Sequence, residues 1–233
     1  MVQKHLKCIF PYREDPLIRK MRVQAWYFAV VQASGLSTRE LERMFREDKG
    51  RKVNRSCIWN KYRRGEVVPR SGRREGGKLN LVEQVEASYP GTAKWLSSPM
   101  WRLADKAPIE MSEIRQIYEK MSPNFRELFI LPAYKASDVF WRKPIEYENL
   151  ADSLRSLGTL ESFVALLTLI REAEVTQNHL DFECWINDAS QFTAIEYFDE
   201  LGNLSVIYEL CDYLVKRWTL LLSYQYLPEF GRG

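Results

Sequence analysis

The run Ala25-Trp26-Tyr27-Phe28-Ala29-Val30-Val31 constrains this chain more than any other segment. It lies downstream of Asp15-Pro16, a capping acid followed by a proline at the first helical position, and upstream of Gly35, so the spacing predicts a helix that ends near Ala33. The second half of this helix is apolar on every side. Such a helix has to be covered on both faces, which places it between two bodies of protein. It falls far short of the ~20 apolar residues a membrane helix needs. The opening MVQKHLKCIFPYRED meets charge and proline too early to supply a secretory apolar core. The chain is therefore expected in the cytoplasm, with no membrane association.

Helical spacing continues along the chain and no hairpin dipeptide sits between alternating apolar residues, so the expected fold class is all-α. Ser37-Thr38-Arg39-Glu40 has the form of a capping box, followed by Leu41, Met44 and Phe45 on one face. A third helix is expected over Arg55–Arg64, closed by Gly65, and a fourth through Leu81, Val82, Val85 and Tyr89 that stops at Pro90-Gly91. Further helices are expected over Ser112–Met121, Pro123–Leu131, Leu160–Glu172 and Leu204–Leu222. Of these, Phe163 to Ile170 is apolar all round apart from Thr168, which predicts a central buried helix.

At 233 residues and 45% hydrophobic, the chain can bury a core without a metal or disulfide staple. Cys8, Cys57, Cys184 and Cys211 are scattered without a CxxC pair, the usage of a reducing compartment. His5 and His179 are the only histidines, which removes most designs built on several histidines. Charge is divided unevenly: residues 1–80 carry 20 Lys/Arg against 8 Asp/Glu, and residues 81–233 carry 14 against 23. The split is +12 and −9, and it suggests that one segment meets a polyanion while the other has a different task. The expected organisation is a basic module over residues 1–90 and an acidic, aromatic-rich helical domain over 91–233.

The segments G-L-S-T-R-E-L at 35–41, V-N-R-S-C-I-W-N-K-Y-R-R-G-E-V-V-P at 53–69 and L-V-E-Q-V-E at 81–86 together resemble the helix-turn-helix of the lambda-repressor and Cro-like (XRE-type) family. The resemblance covers residues 35–90. It implies a positioning helix at Ser37–Phe45, a recognition helix at Arg55–Arg64, a turn at Gly65 with Pro69, a packing helix at Leu79–Tyr89, and binding to duplex DNA. The chain departs from that pattern at Thr38, where the family has Gln, and at Glu42, where it has a small residue. The link from Phe45 to Asn54 is also longer than the family's tight turn. Altered packing of the two helices is therefore expected.

Residue chemistry points to the same surface. At helical spacing Ile58, Trp59 and Tyr62 share one side of the third helix, which makes both aromatics core residues. Ser56, Cys57, Asn60, Lys61 and Arg64 fall on the other side, with Arg55 and Arg63 flanking. An amide, a hydroxyl and several cations suit a major groove, where Asn pairs with adenine edges and Arg or Lys with guanine; a surface helix kept soluble by charge fits the same pattern. Thr38 and Arg39 either hold a phosphate or simply begin a capped helix. Arg70, Arg73 and Arg74 either reach the DNA backbone or form a solvated loop.

No catalytic motif, cofactor loop or metal pattern emerges, and the group His179, Asp181, Glu183 and Cys184 has no zinc spacing. The expected function is transcription regulation through duplex DNA, without enzymatic activity. The alternative is a non-catalytic adaptor whose basic module binds RNA or an acidic partner protein. Tyr208, Cys211, Leu214, Val215, Trp218 and Leu222 give the C-terminal helix an apolar face, which either forms a homodimer or is buried in its own domain.

Overall fold

The computed structural model describes residues 13–45, 57–70, 79–130, 142–143, 147–157, 159–191 and 204–225. Among them are twelve helices and no strand, so the fold is all-α. No helix among the described residues is long and apolar enough to cross a membrane.

Helix α1 (Pro16–Ser34) organises the rest. Asp15 caps it by accepting the Leu17 amide, Pro16 occupies the first turn, and Gly35 ends it in the left-handed conformation at φ 66°. Ile18, Met21, Val23, Ala25, Trp26, Tyr27, Ala29 and Val30 are all buried, five of them in the apolar run from Ala25 to Val31.

Three short helices follow it in sequence: α2 (Thr38–Met44), α3 (Ile58–Arg63) and α4 (Leu81–Ser88). Helix α3 packs on both α1 and α2. The indole of Trp26 stacks on that of Trp59 with centroids 5.5 Å apart and planes 20° apart, and Tyr62 stands edge-on to both. Phe45 closes the same cluster at 5.8 Å from Trp59. Both aromatics of α3 are therefore core residues, as their shared face with Ile58 predicts. Gly65 follows α3 at φ 68°, and a methyl group on it would stand 2.7 Å from the Lys20 carbonyl oxygen and 2.9 Å from the Lys20 Cα. The backbones of α1 and the α3 turn touch there, and only glycine permits it.

Helix α1 also packs against α5 (Ala93–Ser97), α6 (Met100–Ala104) and α12 (Leu204–Gln225). One apolar core continues across the exposed turn at residues 90–91. Glu86 ties α4 to α5, its carboxylate accepting the Gly91 and Ala93 amides at 2.7 Å each and the Thr92 hydroxyl at 3.2 Å. Burial works to raise its pKa, but these bonds outweigh burial and hold it below the ordinary carboxylate value.

Helices α7 (Met111–Lys120), α8 (Pro123–Phe129), α9 (Tyr147–Leu157) and α11 (His179–Gln191) surround α10 (Leu160–Thr176). Every residue from Ser162 to Ala173 of α10 is buried, so it is the central helix that its all-round apolar run predicts. Its buried polar groups pair inside except Arg171 Nε, which has no hydrogen-bond partner. Glu172 accepts the Tyr118 hydroxyl at 2.8 Å and Arg142 Nε at 2.6 Å, while Arg171 donates to Glu174 and to the Ala107 carbonyl, each at 2.6 Å.

The face that α12 buries includes Leu214 and Trp218 of the expected one but not Tyr208 or Val215. Val206, Ile207, Leu210, Leu214 and Trp218 point inward, whereas Tyr208 and Val215 are half exposed. Packing against both α1 and α11 rotates the helix so that the stripe through Ile207 and Leu214 faces the core.

Asp15 joins the two ends of the sequence. Its amide donates to Asp105 at 2.7 Å, and its carboxylate accepts from Leu17 and from Tyr213 of α12 while pairing with Lys106 at 3.2 Å. Burial pushes its pKa up, but the Leu17 amide, Lys106 and the Tyr213 hydroxyl together outweigh burial and hold it below the ordinary value of 3.8.

Two consequences are testable. Gly65→Ala combines backbone strain with a collision at Lys20 and should destabilise the chain by about 2 kcal/mol or more in urea denaturation. The folded state also binds the Asp15 proton more weakly than the unfolded chain does, so its contribution is complete above about pH 4 and is lost as pH falls through the lowered value. Asp15→Asn should lower stability at neutral pH and flatten the decline below pH 4 in melts across a pH series.

Candidate nucleic-acid interface

The candidate surface is built on α2 and α3. Helix α2 opens with a complete capping box, Ser37 accepting the Glu40 amide while Glu40 accepts the Ser37 amide at 2.8 Å and its hydroxyl at 2.6 Å. The side-chain and backbone hydrogen bonds from Ser37 hold the Glu40 carboxyl below the ordinary glutamate range. Arg39 is exposed in the first turn. Thr38 has a different immediate partner, since its hydroxyl is hydrogen-bonded to that of Tyr27 in α1.

Helix α3 begins three residues later than the spacing predicts. Cys57 sits at φ 48° and ψ 26°, a left-handed conformation that a right-handed helix cannot contain, so the helix starts at Ile58 and not at Arg55. Cys57 offers no side-chain cap. The carboxylate of Glu42 on α2 instead accepts the Trp59 amide at 3.1 Å. A residue that departs from the helix-turn-helix pattern thus satisfies a donor at the exposed start of α3. It fixes the two helices to each other across a link far longer than a tight turn.

With Trp59 and Tyr62 buried, the opposite side of α3 is turned out. Lys61, Arg63 and Arg64 are exposed and Asn60 is half-buried. The carbonyl of Arg63 accepts the Gln24 side-chain amide at 3.1 Å, which anchors the last turn to α1. Arg64 pairs through two nitrogens with Glu66. The hydrogen bond from Arg64, then its charge, lowers the Glu66 pKa, and the same contact raises that of Arg64. An incoming phosphate therefore competes with Glu66 for this guanidinium.

Arg70 is exposed just beyond Pro69. Arg55, Ser56, Arg73 and Arg74 lie outside the described residues. Of the expected contacts, the structure brings Asn60, Lys61, Arg63 and Arg64 onto one short helix beside α2. The roles of Glu42, Cys57 and Glu66 were not foreseen, although the two-residue spacing of Arg64 and Glu66 is visible in the sequence.

The group His179, Asp181, Glu183 and Cys184 lies along the first turns of α11, with Asp181 and Cys184 exposed. No group of three metal-ligating side chains gathers among the described residues.

Comparison with protein-family models, curated proteins and solved structures gives no match to this chain.

Removing the carboxylate in Glu42→Ala leaves the Trp59 amide without its partner and should cost about 1 kcal/mol in chemical denaturation. Glu42→Gln retains an acceptor and should recover most of that loss.

Proposed function

We propose that this chain is a DNA-binding regulator that presents the outer face of α3 to duplex DNA, with α2 beside it on the backbone. The observation that carries this reading is the division of α3: Trp59 and Tyr62 lock it to α1, while Lys61, Arg63 and Arg64 project to solvent with Asn60 at their edge. This is the division expected of a helix held rigidly by one side and offered to a groove by the other. The excess of basic residues over 1–80 supports it, as does the resemblance of residues 35–90 to lambda-repressor and Cro-like proteins. Arg55, Ser56, Arg70, Arg73 and Arg74 extend the basic surface in this reading, and Thr38 and Arg39 border it.

A homodimer suits such a regulator, because paired modules read paired half-sites. The stripe that α12 leaves half exposed, Tyr208 and Val215, is the candidate contact. Asp212 precedes Lys216 along this helix and both are exposed, so antiparallel pairing of two copies can set acid beside base.

The test is selection from a randomised duplex library, followed by titration of the recovered duplex over a range of salt. Binding should weaken steeply with salt, and Asn60→Ala/Lys61→Ala/Arg64→Ala should lose about 2 kcal/mol or more of affinity while retaining the parent's melting temperature. Glu66→Gln, which releases Arg64, should bind more tightly than the parent. A folded triple variant with parental affinity removes α3 as the reader. Absence of salt-dependent duplex binding favours the adaptor.

A further inference from the structure

A groove of about 610 Å³ lies between α1 and α12, its apolar lining supplied by Leu17, Met21, Leu220 and Leu221. Leu17 and Leu220 are the most exposed of these, at 54% and 58%. The charged residues of the groove are matched within the chain. Lys20 pairs with Glu209 at 3.0 Å, Lys106 with Asp15 at 3.2 Å, Lys216 with Asp212 at 2.7 Å and Arg217 with Glu174 at 2.7 Å. With these charges already balanced, the groove suits an uncharged group that has an apolar body and a polar tip.

Such a group stands on α12 itself. Tyr208, Asp212, Lys216 and Leu220 follow one another at intervals of four, so they form a single ridge of the helix, and all four are exposed. The ridge has apolar ends and a charged middle. Turned end for end and laid against itself about the level of Leu214, it sets Tyr208 opposite Leu220 and Asp212 opposite Lys216, so every contact is apolar on apolar or acid on base. No neighbouring arrangement does this. Parallel pairing opposes Asp212 to Asp212 and Lys216 to Lys216, and sliding the antiparallel pair by one turn in either direction brings Asp212 or Lys216 onto its own copy.

We infer that the groove is the socket of a second copy of this chain: the two α12 helices pair antiparallel about residue 214, and each seats its Tyr208 ring on the partner's Leu220 and against the partner's Leu17. This rests on the homodimer of the proposed function and deepens it, and it holds whether or not α3 reads DNA. It brings α1 into the interface. The helix that holds α3 through the stacked indoles of Trp26 and Trp59 is then also the helix that meets the partner, which ties each α3 to the two-fold axis through one rigid element.

The test is sedimentation equilibrium of the full chain over a range of micromolar concentrations. Asp212→Lys and Lys216→Asp each set like charges against each other and should weaken the dimer about ten-fold or more, whereas an equimolar mixture of the two variants should regain the parent's association to within a few-fold. Tyr208→Ser and Leu17→Gln should each weaken it about five-fold or more, and the Leu17 effect requires α1 in the interface. All four positions are exposed, so circular dichroism melts of the variants should match the parent. A dimeric parent that neither charge reversal weakens, or a mixture that fails to recover, overturns this register and leaves the homodimer standing. A dimer indifferent to Tyr208→Ser or to Leu17→Gln overturns the socket. A parent that is monomeric throughout overturns the proposal together with the homodimer and leaves this face to a different protein.

Discussion

Helix α1 has no polar side chain from Ala25 to Val31 except the Tyr27 hydroxyl and the Trp26 indole N–H, and covering that run arranges much of the structure around it. One part of its surface is closed by the stacked indoles of Trp26 and Trp59 with Tyr62 standing edge-on. Elsewhere it meets α5, α6 and α12. Aromatic pairs contribute about 0.5–1.5 kcal/mol each beyond the area they bury, which strengthens the contact that fixes α3 to α1. The close approach at Gly65 adds a geometric condition, since α3 can end where it does only if residue 65 has no side chain. The orientation of the outward cations on α3 thus depends on what is buried beneath them.

The fold class and the main helix ends were legible because their signals are local. Asp15, Pro16 and Gly35 delimit α1, and Ser37 with Glu40 opens α2, each through bonds made within a few residues. Helices α5 and α6 were not legible, being five residues each and held by distant or tertiary partners. Glu86 caps the first from α4, and the Trp101 indole donates to the Trp95 carbonyl at 2.6 Å between them. Helices α9 and α11 were also passed over, although α9 has a regular apolar face. The burial of α12 could be read as a breadth of apolar residues but not as an orientation, because two neighbouring stripes compete and only contact with α1 and α11 decides between them.

The candidate interface was readable to a similar degree. Helical spacing alone separates Trp59 and Tyr62 from Lys61 and Arg64, and the structure keeps that separation. The start of α3 was misplaced because nothing about a cysteine signals a positive φ, a conformation found mostly at glycine and asparagine. Glu42 was visible as a departure from a pattern, but its bond to the Trp59 amide spans seventeen positions and required the folded chain. Acids do opposite work within this small region. Glu42 fixes α3 in place, whereas Glu66 occupies the guanidinium of Arg64.

The joint at Asp15 has a consequence for how the protein is made. The cap of the first helix is completed by Lys106 and by Tyr213, so a ribosome must add nearly two hundred residues after Asp15 before that carboxylate has all its partners. Through most of synthesis the nascent chain carries α1 with part of its apolar surface uncovered, an exposure that invites association with other chains or capture by a chaperone. Helix α1, made before α12, has its full set of contacts only once α12 has been added.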